Sequence, residues 1–227
     1  TTDLVAALEH DNAWQRETAA RLLFERQDRR AIGPLFDVAT NSKKPLTRLH
    51  ALHVLDGLSG LKQGVVLRGL ADSDERVRVH AIKLAERLVP GARPNAAIIN
   101  RLTSMGGDDS AKVRYQLALS LALVQSSDRL PALAEILAQD ASAKWTRGAV
   151  LNATRTDAAR LFSVYANKHA DRSTLAELAR MIGTQGDQDG SRAVIRFAVA
   201  STSESTSMSL LTSLNTGLKR KRLDVTK

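Results

Sequence analysis

A six-residue pattern returns five times in the first two thirds of the chain, and it constrains the fold more than any other feature. The segments are Trp14-Gln-Arg-Glu-Thr-Ala19, Leu46-Thr-Arg-Leu-His-Ala51, Arg76-Val-Arg-Val-His-Ala81, Lys112-Val-Arg-Tyr-Gln-Leu117 and Trp145-Thr-Arg-Gly-Ala-Val150. Each has arginine third (Arg16, Arg48, Arg78, Arg114 and Arg147) and a small or apolar residue three positions later, and the arginines step by 32, 30, 36 and 33 residues. A period in the thirties with variable joints marks stacked helical hairpins. One such unit is too small to bury its own apolar faces, so it must cover them with its neighbours.

The local pattern around each arginine is helical. Ala19, Ala20, Leu22 and Leu23 follow Arg16; Ala81, Ile82, Leu84 and Ala85 follow Arg78. Three- and four-residue spacing places such residues on one helix face. This predicts that Leu84 and Leu121 face a shared core. A shorter helix is predicted before each arginine helix, over about 3–9, 30–40, 62–71, 94–105 and 128–139. Asp11-Asn12, Asp72-Ser73-Asp74, Asp108-Asp109-Ser110 and Asp140-Ala141-Ser142 precede the arginine helices. Their side chains suit the free N–H groups and positive dipole of a first helical turn. Pro45 suits a first turn in another way, because it has no N–H to satisfy.

From about residue 156 the arginine pattern is lost, though 157–168, 173–183, 189–200 and 205–218 still read as helices. Gly183-Thr-Gln-Gly-Asp-Gln-Asp-Gly190 reads as a loop, and Ser201–Ser207 as a loop or helix cap. The expected fold is therefore all-α, a right-handed α-α superhelix of the HEAT/armadillo-like solenoid type. Residues 1–155 form about five HEAT-type hairpins, 156–218 form divergent helical repeats or a C-terminal cap, and 219–227 form a frayed basic tail.

Composition narrows the function. With no cysteine, disulfides, Cys-based metal sites, thiol catalysis and Cys-x-x-Cys-His haem attachment are ruled out within these residues. No apolar run approaches the roughly 20 residues of a membrane span, and no signal-peptide pattern is present. The chain starts Thr1-Thr2-Asp3 in what reads as a helix, which suggests a piece of a longer protein. The formal charge of +9 can attract nucleic acid, anionic lipid or an acidic protein. Five of the 33 basic residues (Lys219, Arg220, Lys221, Arg222 and Lys227) lie in the last nine positions.

The five arginines are the candidate site residues, either as a basic stripe for phosphates or as a ladder. In the ladder, which is the adopted reading, a turn aspartate pairs with the arginine of its own or the next repeat. Asp72 and Asp108 lie six residues before Arg78 and Arg114, and Asp11 and Asp140 are similarly placed. His50 and His80 occupy equivalent positions near His53, and no acid cluster accompanies them, so a metal site is not expected. Trp14 and Trp145 each sit two residues before a repeat arginine and are read as apolar covers over the hairpin turn rather than base-stacking platforms. Gly183–Gly190 lacks the Gly-Lys-Ser/Thr of a phosphate loop. No catalytic, cofactor-binding or metal-binding residue is expected.

The same segments, taken in order from His10–Arg26 through Pro45–Leu58, Asp74–Ala81 and Lys112–Leu121 to Trp145–Leu151, resemble the HEAT-repeat region of large exported multidomain proteins of planctomycetes and their relatives. In that family a propeller like those of sugar dehydrogenases precedes the repeats, and a c-type cytochrome domain follows them. The resemblance covers residues 3–155 well and the remainder weakly. It implies a periplasmic or exported spacer and docking platform between an oxidising domain and its haem acceptor. It carries over no catalytic or haem-binding residue, because no position here matches those motifs. The expected function is thus a non-catalytic scaffold or protein-docking module whose partners are proteins or flanking domains of the same chain. The alternative is a nucleic-acid-binding HEAT-like protein with a basic concave face, drawing on Arg78, Lys83, Arg87, Lys112 and Arg114.

Overall fold

A computed structural model describes residues 1–89, 95–169 and 171–225. Among the described residues the chain is all α, with short 3-10 turns and no strand. It divides into two compact units, Thr1–Val124 and Gln125–Lys227.

The first unit contains α1 (Thr2–Ala7), α2 (Ala13–Arg26), α3 (Ile32–Asn41), α4 (Pro45–Gly57), α5 (Gln63–Gly69), α6 (Glu75–Ala85), α7 (Ala96–Thr103) and α8 (Ala111–Ser120). α1 pairs with α2, α3 with α4, and α5 with α6. The odd helices stack on one another in chain order, and so do the even helices. Two layers result, with the core between them. Leu8, Leu35, Leu52, Leu55, Leu70, Ile82, Ile98 and Leu102 are almost wholly buried there. Leu84 and Leu121 are 4% and 0% exposed, as the apolar stripe requires.

The starts of these helices follow their turn residues. Asn12 Oδ1 accepts from the Trp14 N–H at 2.9 Å, Asp74 Oδ1 from Arg76 at 2.9 Å, and Ser110 Oγ from Val113 at 3.4 Å. Pro45 opens α4 at its first turn.

The second unit contains α9 (Arg129–Gln139), α10 (Lys144–Ala153), α11 (Ala158–Ala166), α12 (Arg172–Gln185), α13 (Gln188–Ala200) and α14 (Glu204–Val225). α9, α11 and α13 stack in order; α10 packs on α9, α12 on α11, and α14 on both α12 and α13. Tyr165 and Phe162 on α11 are the largest side chains of its core.

Three expectations change here. The predicted cap at Asp140–Ser142 does not form, because Ala143 stands at the α10 N-cap position and Asp140 closes α9 instead. The loop predicted over 183–190 shrinks to Gly186-Asp187. Gly186 ends α12 in the left-handed region at φ 67°, and Asp187 Oδ1 caps α13 by accepting from the Gly190 N–H at 2.9 Å. Gly183 belongs inside α12 because α14 crosses there at backbone distance: a Cβ on Gly183 would strike the Leu214 carbonyl, and one on Gly217 the Arg180 carbonyl. In the sequence Gly183 reads as the start of a loop, whereas its missing side chain is what permits the crossing. Lastly, α14 runs through residue 225, so the frayed tail expected from 219 is helical there. Residues 226–227 lie outside the described residues.

Candidate functional site

The repeated arginines sit in the first turn or two of α2, α4, α6, α8 and α10, and they share one geometry. The guanidinium folds back so that Nη1 donates to the carbonyl six residues earlier. Arg16 bonds His10 O at 2.8 Å, Arg48 bonds Ser42 O at 2.8 Å, and Arg78 bonds Asp72 O at 2.9 Å. Arg114 bonds Asp108 O at 2.6 Å, and Arg147 bonds Ala141 O at 3.1 Å. Each arginine thereby ties down the turn that leads into its own helix.

The other edge of the guanidinium reaches forward. Arg48 Nε and Nη2 donate to both Asp72 oxygens at 2.6 Å. Arg78 repeats this on Asp108 at 2.9 and 2.8 Å and adds Asp109 at 2.7 Å. These are forked arginine–carboxylate pairs, the geometry in which charge-assisted bonds are strongest. The side chains of Arg48, Asp72, Arg78 and Asp108 are each about one tenth exposed. Asp72 and Asp108 also shape their own turns, since an oxygen of each accepts the N–H two residues on, of Asp74 and Ser110, at 2.9 Å. Each aspartate therefore closes its own turn and receives the arginine of the preceding hairpin. The sequence predicts that each turn aspartate pairs with the arginine of its own or the next repeat; these rungs do neither and run to the arginine of the preceding repeat.

Burial pushes the Asp108 carboxyl up, but the Arg78 bonds and the Ser110 N–H outweigh it and hold the group below its usual 3.8. Arg78 is raised in turn, first by its bonds to Asp108. Arg48 is raised likewise by Asp72. Asp74 falls to about 2 because Arg76 bonds to it.

The ends of the series differ. Ser42 occupies the place of Asp72, so Arg16 receives no turn aspartate. Its Nε is buried without a hydrogen-bond partner among the described residues, and Asp11 pairs instead with Lys44 at 2.6 Å. In the second unit Arg147 Nε meets Glu177, on α12, at 3.2 Å.

His53 Nε2 lies 2.7 Å from His80 Nδ1, with the rings edge to face. Burial depresses His50, His53 and His80 below the usual 6.5. Among the described residues no group of three His, Asp or Glu is placed to hold a metal ion. The tryptophans depart from expectation: Trp14 is 68% exposed and Trp145 75%, so neither covers its turn. Both stand second in their helix, and the Lys144 ammonium lies 5.4 Å from the Trp145 ring centre. No described helix is long and apolar enough to cross a membrane.

No protein-family model matches the chain, and no curated protein does. A crystal structure of an engineered protein is similar over 95% of this chain and 97% of that one, at 15% identity and a TM-score of 0.34, a likeness too slight to carry an argument.

Proposed function

We propose that the chain is a non-catalytic helical-repeat scaffold of the HEAT/armadillo type, a right-handed α-α superhelix that docks proteins or the flanking domains of its own parent. The observation that carries this reading is the forked pairing of Arg48 with Asp72 and of Arg78 with Asp108. The repeated polar residue is spent on holding one hairpin to the next, which is the work of a spacer whose length and register matter. The exposed Trp14 and Trp145 offer the kind of rigid aromatic anchor on which protein interfaces concentrate their energy. The resemblance to exported multidomain proteins adds the arrangement between a sugar-dehydrogenase-like propeller and a c-type cytochrome.

The first test is the full reading frame. A propeller upstream and Cys-x-x-Cys-His downstream support the interdomain role, and a frame that codes for neither overturns it. The nucleic-acid reading drew on five basic residues. Four of them are engaged, which leaves Lys83: Arg78 and Arg114 bond the turns, Arg87 pairs with Asp56 at 3.1 Å, and Lys112 pairs with Glu75 at 2.7 Å. Titration of labelled duplex DNA at about 50 mM salt is therefore expected to show no binding; tight binding that weakens steeply as salt rises would put that reading first.

A further inference from the structure

In the second unit, α10, α12 and α14 border a cavity of about 440 Å³, within the roughly 300–1,000 Å³ of small-molecule sites. Three guanidinium groups from separate parts of the fold line it: Arg155 just past α10, Arg180 on α12 and Arg220 on α14. Glu177 is the carboxylate on this wall, and Arg147 already holds it at 3.2 Å. Arg180 stands 3.8 Å from the same group, at the outer limit of an ion pair. The Arg155 and Arg220 side chains have no hydrogen bond or ion pair among the described residues, unlike the arginines of the ladder.

The helix ends nearby do not cancel this charge. Gln185 Nε2 donates to the Arg155 carbonyl, and Lys221 Nζ donates to the Gln185 carbonyl at 2.9 Å, so these acceptors are occupied. Leu151 and Met181 supply an apolar stretch of wall. Three arginines against one glutamate leave two positive charges facing one cavity.

We propose that this cavity binds a small organic phosphate, with its phosphate held by Arg155 and Arg220 and its apolar body lying against Leu151 and Met181. The planar fork of arginine matches phosphate oxygens two at a time. A phosphate monoester carries about −1.5 to −2 charges near pH 7, which balances this wall better than a single carboxylate does.

The test is an amide-resolved NMR titration of the chain with phenyl phosphate, with benzoate and inorganic phosphate as separate arms. Saturable shifts confined to the neighbourhood of Asn152, Thr184 and Arg220 are expected, with benzoate and inorganic phosphate each binding roughly tenfold more weakly. Arg155→Gln and Arg220→Gln should each lower the affinity for phenyl phosphate about tenfold, the worth of one charge-assisted contact. Arg172→Gln, at the far end of α12, should leave it unchanged. The proposal is overturned by shifts spread over the whole basic surface, by equal binding of benzoate, or by well-folded Arg155→Gln and Arg220→Gln variants that bind as the parent does. Folding of each variant is read from the same spectra.

Discussion

In Thr1–Val124 helices of the same layer are tied by buried arginine–aspartate pairs that reach from one hairpin to the turn of the next. In Gln125–Lys227, α12 and α14 meet backbone to backbone at Gly183 and Gly217. The first joint is polar and local. It sets the position of one turn relative to another and leaves the lengths of the helices free. The second joint is steric and extended. It needs two long helices, 14 and 22 residues, and a pair of positions where no side chain intervenes. A repeat can therefore disappear from the sequence as a motif while helix stacking continues, because stacking has more than one solution.

The largest expected effect comes from cutting a rung. Arg78→Ala leaves the buried Asp108 carboxylate without its counter-charge and should cost about 3–5 kcal/mol in urea unfolding. Arg16→Ala loses bonds to turn carbonyls but strands no carboxylate, and about 1 kcal/mol is expected. Equal losses at the two sites would show that the forward bond adds nothing to the turn contact.

Next comes the glycine crossing. Gly217→Ala drives a Cβ into the Arg180 carbonyl and the Thr184 N–H, and should cost about 1–3 kcal/mol despite the better helix propensity of alanine. Gly148→Ala on α10 meets nothing within 4 Å and should be neutral or stabilising by up to about 1 kcal/mol. If both substitutions stabilise the protein, α12 and α14 do not pack at backbone distance.

The smallest effect is confined to the first unit. His50, His53 and His80 titrate below 6.5 in the folded chain, chiefly because burial disfavours their charged form. The unfolded chain takes up these protons near pH 6.5, while the folded chain holds them off until a lower pH. The contribution is whole above pH 6.5 and is lost as the pH falls through the folded values. Thermal melts should show a decline below pH 6.5 that is shallower in His80→Gln. A decline of unchanged slope would remove the histidine pair as its source.

Much of the first unit was legible because helical periodicity and turn chemistry are local. The stripe through Leu84, the caps at Asn12, Asp74 and Ser110, and the proline at 45 all act within a few residues of themselves. The arginine spacing also pointed to a ladder, since Arg78 and Arg114 each stand six residues past a turn aspartate. Which aspartate each arginine takes was not legible, because the own-turn carboxylate of Arg78 stands six residues away and the next-turn one 30, so nearness along the sequence favours the pairing that does not form. The tryptophans were misread for a related reason: a large aromatic beside a helix start is read as buried, and only the packing shows that the second helical position faces water.

Local patterns along the chain were enough to show that it is helical, where most of its helices begin, and which faces of them are apolar, since those properties depend on neighbours within one or two turns. Packing was needed to show that Asp72 and Asp108 each serve two hairpins, that Gly183 lies in a helix and meets Gly217 rather than opening a loop, and that Arg155, Arg180 and Arg220 line one cavity. Each of these joins residues about 24 or more positions apart, and distance along the chain carries no information about meeting in space until the helices between have been packed.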